Sequence, residues 1–333
     1  MGNAPQKPID RRLSVAPMMD WTDRHCRFFH RQFSRQTLLY TEMVTAPAIL
    51  YGDVGRLLHF DPAEHPVALQ LGGSDPDELA KATRITCEAG YDEINLNCGC
   101  PSDRVQSGTF GAVLMKSPDR VADCVTAMIE ASTGPEITIK CRIGVDEQEP
   151  REVLPRFIET VASAGVRSFA IHARKAWLQG LSPKENRDIP PLDYPLALEI
   201  KRAFPELEIC LNGGIVSLEQ ARQHLMDGFD GVMIGRAAYH DPGGILGRAD
   251  ADVFGQGAPV AAEVAVVAML PYIERELSAG TRLNQITRHM LGAFAGRPGA
   301  RAWRRILSEN AHLPGVGPEL VIRAMDAVAR QAA

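Results

Sequence analysis

Nothing in this 333-residue sequence approaches the ~20 consecutive apolar residues that a bilayer-spanning helix needs, which excludes a helical membrane protein. The opening Met1-Gly2-Asn3-Ala4-Pro5-Gln6 has no apolar signal core, and Gln6 stands where a myristoylation signal requires Ser or Thr. Cysteine is sparse: the seven are odd in number, scattered and without paired zinc spacing. That excludes a disulfide framework, gives no reason to expect a metal, and fits a reducing cytoplasm. There is no low-complexity tract and no solenoid-type repeat. With 45% apolar and 23% charged residues, the composition is that of a cytoplasmic globular protein.

Acid is missing from one stretch in particular. Residues 281 to 308 hold six arginines (Arg282, Arg288, Arg297, Arg301, Arg304, Arg305) and no Asp or Glu. Residues 255 to 333 carry nine arginines against six acids, a net of +3, so the remainder carries 27 bases against 35 acids, a net of −8. A basic block beside an acidic body is the asymmetry to explain.

Short β-branched runs alternate with amphipathic helical stretches over the first ~250 residues. Strands are predicted at Leu13–Ala16, Leu38–Thr41, Val67–Leu71, Glu93–Asn97, Ile137–Arg142, Ser168–His172, Glu208–Asn212 and Gly231–Ile234. Helices are predicted at Asp75–Ala89, Pro118–Ala131, Val153–Ala164 and Ser217–Asp227, with Ser74, Ser117 and Ser217 as N-caps. Eight βα units in ~245 residues match a TIM (β/α)8 barrel. A doubly wound open sheet is the competing fold, and the lack of Gly-x-Gly-x-x-Gly after the first strand favours the barrel. The expected division is a barrel domain over 1–245, a linker at 246–258 and a small α-helical bundle over 259–333. Helices at 260–278, 282–295, 300–310 and 318–332 would build that bundle.

A TIM barrel builds its active site at the carboxyl ends of its strands. Those ends read Pro17-Met18-Met19, Glu42, Gln70, Asn95 with Asn97, Lys140 with Arg142, His172 with Arg174, Asn212-Gly213-Gly214 and Gly235-Arg236. The last two sit where such barrels hold a phosphate, with glycine letting the backbone approach and Arg236 supplying charge. Glycines alone would only make tight turns; their pairing on adjacent loops beside Arg236 favours a phosphate site. A cation, an amide and an imidazole around an apolar shelf suit an isoalloxazine ring, and a single phosphate site points to FMN rather than FAD. Lys140 could alternatively form a Schiff base, as barrel aldolases do.

Cys100 lies beyond the fourth strand, before Pro101, where a thiol can serve as a general acid. Cys98-x-Cys100 lacks two further metal ligands nearby, and a disulfide at that spacing would be strained.

Together these motifs resemble the tRNA-dihydrouridine synthases of the A type. The resemblance rests on Ala-Pro-Met-Met-Asp-Trp-Thr-Asp at 16–23, Gln-Leu-Gly-Gly from Gln70, and Asn-Leu-Asn-Cys-Gly-Cys-Pro-Ser-Asp-Arg-Val at 95–105. Further support comes from Lys-Cys-Arg-Ile-Gly at 140–144, the stretch His172 to Arg187, Leu-Asn-Gly-Gly-Ile at 211–215, Thr-Arg-His-Met-Leu-Gly at 287–292 and Gly-Ala-Arg-Ala-Trp-Arg-Arg at 299–305. The likeness implies FMN contacts from Pro17, Met18, Met19, Gln70, Lys140, His172, Asn212, Gly213, Gly214, Gly235 and Arg236. It implies Cys100 as proton donor, and tRNA contacts from Asn97, Lys184, Arg187, Arg301 and Arg304. Cys98 departs from the pattern, which has a small apolar residue such as Val there.

The activity implied is NADPH-dependent reduction of the uracil C5–C6 bond in tRNA at D-loop positions 20 and 20a. Hydride would pass from flavin N5 to C6 and a proton from Cys100 to C5, on a uridine drawn out of its stack. The partner would be the tRNA D-loop and elbow, with no DNA or membrane, and the protein a monomer. Arg297, Arg301, Arg304 and Arg305 fall at helical spacings with no interleaved acids, which suits phosphate contacts. The rival functions are a flavin barrel acting on free pyrimidines, an RNA-binding module on an inactive barrel, and an aldolase acting through Lys140. The first predicts activity without RNA, the second a protein without flavin, and the third borohydride trapping of substrate on Lys140.

Overall fold

The computed structural model describes residues 9–101 and 110–332; Ser102 to Val105 of the quoted motif lie outside them. Eight strands, β1 (Leu13–Val15), β2 (Leu38–Thr45), β3 (Val67–Gly72), β4 (Glu93–Cys98), β5 (Glu136–Arg142), β6 (Ser168–His172), β7 (Glu208–Asn212) and β8 (Gly231–Ile234), form a closed barrel in sequence order. Every pairing is parallel, including the β1–β8 closure. The closed barrel, rather than the open sheet, is therefore the fold.

Alternation along each strand sorts side chains into two environments. On β4, Ile94, Leu96 and Cys98 join the large apolar core shared with the surrounding helices. Glu93, Asn95 and Asn97 take the other parity, into a lumen that also holds the small cluster of Leu38, Tyr40, Ala68, Ala170, Cys210 and Met233. The floor of that lumen is ionic. Arg11, just before β1, pairs at 2.7 Å with each of Glu93, Glu136 and Glu208 from β4, β5 and β7. Removing Arg11 or Glu93, the two buried members, costs about 3–5 kcal/mol, and the more exposed Glu136 and Glu208 contribute less; the floor pins three strands to one guanidinium.

The outer helices follow their local signals. Helix Pro76–Ala89 starts with Asp75 accepting the Glu78 N–H and Pro at its first position, and stops at Gly90 with φ 89°. Its buried face is Leu79, Ala82, Thr83 and Thr86. The cap is thus Asp75 rather than Ser74, because the aspartate occupies the extended position immediately before Pro76. Ser217 caps as expected, while the Ser117 side chain makes no capping bond. β2 runs four residues beyond its predicted end, through a register shift between Tyr40 and Met43.

After β8 come helices at Ala262–Ala268, Leu270–Ser278, Leu283–Thr287, Ala300–Asn310 and Glu319–Ala332. The predicted 260–278 helix is two, divided where Pro271 enters the first turn of the second. The predicted 282–295 helix ends at Thr287. Beyond it the chain turns so that His289 reaches Asp23, Met290 O accepts the Trp303 indole N–H at 2.9 Å, and Gly292 packs against the His240 carbonyl. Arg297 consequently lies outside the Ala300–Asn310 helix, which begins after Gly299 in the left-handed region.

Contacts between the tail and the barrel centre on the helix after β1, Arg24–Arg31, and its cap Asp23. His289, fully buried, bonds Asp23 at 2.9 Å and Tyr239 at 3.1 Å. Tyr272 stacks on Phe28 and bonds His25 at 2.7 Å. Arg24 pairs with Glu276, and Arg275 with Asp61.

Candidate active site

The carboxyl ends of β3 to β8 bring most of the predicted polar residues to one mouth. Asn97 lies in register with Lys140, Arg142 with His172, and His172 with Asn212. Lys140 Nζ donates to Asn212 Oδ1 at 3.1 Å, and Asn212 Nδ2 donates to Met233 O at 2.8 Å, linking β5, β7 and β8. Burial, then the neighbouring Arg142, pushes the Lys140 ammonium down to about 8. Burial also drives His172 well below its usual range, helped by Arg142, Lys140, Arg174 and Arg187, so its ring is neutral at physiological pH. Arg142 itself is pushed down to about 10, chiefly by burial.

Gly213 and Gly214 take φ values of 112° and 70°. A Cβ on Gly213 would stand 2.5 Å from the His172 ring, and one on Gly214 2.5 Å from Leu192, so both turns require glycine. Gly235 faces Met18 and Ala16. Pro17 and Met18 are half-buried and Met19 is exposed, as a rim beside the β1 end. Arg236 follows, but its guanidinium is held by Asp188 at 2.6 Å. Sequence reasoning missed this pairing, since the two residues come from different loops.

Gln70, Asn95 and Asn97 form a hydrogen-bonded series across β3 and β4. At its upper end Asn97 Oδ1 accepts the Gly99 and Cys100 N–H groups, each at 2.9 Å. Cys100 is half-buried, and its carbonyl accepts Ala112 N–H at 2.9 Å. Cys98 is fully buried in the outer core, where desolvation raises its thiol. All seven cysteines are free thiols.

Arg142, two residues beyond Lys140, ties three loops. It donates to Gly99 O, Lys175 O and Asn186 O at 3.1, 3.1 and 2.9 Å. Asn186, fully buried, organises the β6 loop by bonding both backbone groups of Trp177 and the carbonyls of Leu181 and Ser182. On either side of it Lys184 and Arg187 stay exposed. Arg174 Nε is buried with no hydrogen-bond partner among the described residues. No group of three or more metal-ligating side chains occurs among those residues.

In the tail, Arg301, Arg304 and Arg305 share an exposed face while Ala302, Trp303 and Leu307 are buried. Arg297 is not free for that face; it makes a two-point pair with Glu263 at 3.0 and 2.6 Å. No helix among the described residues is long and apolar enough to cross a membrane.

The structure resembles an old yellow enzyme homologue from Zymomonas mobilis, with a TM-score of 0.52, 14% identity, and coverage of 69% of this chain and 86% of that one. At that identity the likeness concerns the barrel alone. In sequence, the chain is 60% identical over 316 residues to the tRNA-dihydrouridine(20/20a) synthase of Vibrio cholerae, covering 94% of this chain and 95% of the relative. It is 59% identical over 320 residues to the enzyme of that name from Escherichia coli K12, covering 96% and 92%. The enzyme of that name from Shewanella oneidensis is 57% identical over 323 residues, covering 97% and 95%. The profile described as Dihydrouridine synthase (Dus) matches residues 14–329, and the chain therefore belongs to the dihydrouridine synthase family.

Proposed function

We propose that this chain is a flavin-dependent tRNA-dihydrouridine synthase, reducing the uracil C5–C6 bond at D-loop positions 20 and 20a with NADPH through FMN. The observation that carries the reading is the half-buried Cys100, held by Asn97 at the mouth of a polar barrel. Its relatives, matched over nearly their whole length, are named for this activity.

The donor set fits FMN. Gly213, Gly214 and Gly235 keep the β7 and β8 loops low, and the orphaned Arg174 Nε adds a buried donor to the cations around His172. Arg236 would share its charge between Asp188 and the phosphate. Pro17, Met18 and Met19 would flank the ring, with Gln70, Lys140, His172 and Asn212 meeting its polar atoms. The chemistry FMN would supply there, once reduced by NADPH, is a hydride for uracil C6.

The protein's own part is proton delivery and placement. As the hydride arrives, the Cys100 S–H bond breaks and a C–H bond forms at C5, leaving a thiolate that regains its proton from solvent. The Lys140 ammonium offsets negative charge gathering in the lumen. Asn97, Lys184, Arg187, Arg301 and Arg304 would contact the tRNA, by polar bonds at the mouth and phosphate pairing on the tail. We infer a cytoplasmic monomer, with a catalytic barrel over 1–245, a connection at 246–258 and an RNA-binding helical unit over 259–333.

The test is anaerobic reoxidation of the reduced protein by tRNA lacking dihydrouridine, followed at the flavin absorbance band. Reoxidation by that tRNA and not by free uridine supports the reading. A yellow protein that ignores tRNA would mean a small-molecule flavin dehydrogenase, and a protein that takes up no flavin would remove the cofactor assignment.

A further inference from the structure

A single series of hydrogen bonds runs through the lumen from its ionic floor to the Cys100 loop. Glu93, bonded to Arg11 by one carboxylate oxygen, accepts the Thr138 hydroxyl at 2.6 Å on the other. Thr138 Oγ1 accepts Asn95 Nδ2 at 2.8 Å, and Asn95 Oδ1 accepts Gln70 Nε2 at 2.9 Å. Gln70 Oε1 accepts Asn97 Nδ2 at 2.8 Å, and Asn97 Oδ1 accepts the Gly99 and Cys100 N–H groups. Glu93, Gln70, Asn95 and Thr138 are all buried.

The sense of this series is set independently at its two ends. A carboxylate paired with Arg11 accepts, so Thr138 spends its one hydrogen downward and must receive Asn95 through an N–H. Backbone N–H groups can only donate, so Asn97 must turn its oxygen toward Cys100 and its nitrogen toward Gln70. Both conditions lead to the same orientation of all three amides. Turning any one of them over would set donor against donor or acceptor against acceptor in a buried site. Among the described residues, Asn97 thereby keeps one unshared N–H and a filled oxygen.

We propose that Thr138, with Asn95, is a positioning residue for Cys100: it anchors the amide series to the floor, and the series holds the backbone that carries the thiol. The inference rests on the proposed reduction of tRNA uridine for its catalytic consequence, though not for its structural one. Neither residue touches the thiol; both act through Gln70 and Asn97.

The experiment compares Thr138→Val, which has nearly the shape of threonine but no hydroxyl, with Thr138→Ser, which keeps the hydroxyl. In the holoenzyme, Thr138→Val should speed amide hydrogen exchange over residues 95–101 about tenfold, the effect of losing one buried hydrogen bond. Reoxidation of the reduced protein by tRNA should slow by a similar factor, while its reduction by NADPH, which needs no thiol, should change less. Thr138→Ser should return both quantities to near wild type. Unchanged exchange and reoxidation in Thr138→Val overturn the inference, as does a general loss that Thr138→Ser fails to restore. If the valine variant does not fold, Asn95→Ala breaks the series one link higher, with the same expected readouts. A wild-type protein inert toward tRNA removes the functional reading instead, and the exchange data still decide whether Thr138 holds the loop.

Discussion

Cys98 and Cys100, two residues apart, occupy opposite environments: the first is sealed between strand and helices, the second half-buried at the barrel mouth. Sequence alone leaves open which of the two thiols a label would find. Burial seals Cys98 from the mouth, and desolvation raises its thiol.

Cys100→Ala should therefore slow tRNA-driven reoxidation of the reduced protein by about 10²–10⁴-fold, the usual contribution of a general acid. Reduction by NADPH should be untouched. Stopped-flow absorbance separates the two half-reactions, and equal loss in both would assign Cys100 a structural role. Peptide mapping after brief alkylation should find label at Cys100 and none at Cys98.

Gly213→Ala should strip the protein of flavin. The substitution forces φ 112° on an L residue and drives a Cβ to 2.5 Å from His172. Absorbance after gel filtration measures retention; wild-type occupancy in this variant would show that the β7 turn does not shape the cofactor site.

Arg301 and Arg304 should each act as a phosphate contact. Removing either to alanine should weaken tRNA binding and lower the slope of log K against log salt by roughly one unit. Arg297→Ala should leave the slope alone, since its charge is spent on Glu263. Binding titrations at several salt concentrations decide between them.

Acid should destabilise the fold through buried imidazoles, His172 at the mouth and two more in the helix after β1. Burial lowers His25 from 6.5 to about 4 and His30 from 6.5 to about 3. The unfolded chain thus holds more protons than the folded one once pH drops below about 6.5, and stability is lost toward pH 4. Each ring should cost about 2 kcal/mol at pH 5. His65, raised by its bond to Asp92 but well exposed, acts weakly in the opposite sense. Urea midpoints at pH 7.5 and 5 test this, and equal midpoints would reject it.

Much of this architecture could be read from the chain because barrel strands are local and repetitive. Eight short apolar runs, seven of them leading into a polar or glycine residue, located every strand and the mouth itself. What stayed illegible depends on distance in sequence. Arg11 meets Glu93, Glu136 and Glu208, and nothing near Arg11 announces them. Asp188 neutralises Arg236 across two loops, and Glu263 does the same to Arg297. The 288–297 stretch has helical composition, but tertiary bonds of His289 and Met290 outweigh propensity there. Asn186, one amide in a polar run, organises the loop on which Lys184 and Arg187 stand through bonds that nothing in its sequence neighbourhood announces.

The joint between tail and barrel sets a further condition. Trp21 stacks on Tyr239, Tyr239 bonds His289, His289 bonds Asp23, and Arg288 reaches the Asp20 carbonyl. Those contacts fasten the tail to the same β1 loop that carries Met18 and Met19. In the proposed function the arginine face and the thiol would act as the two jaws of a fixed caliper. A tRNA gripped by the first would have to bend or extrude a base to meet the second, so its own deformability would become part of what is selected.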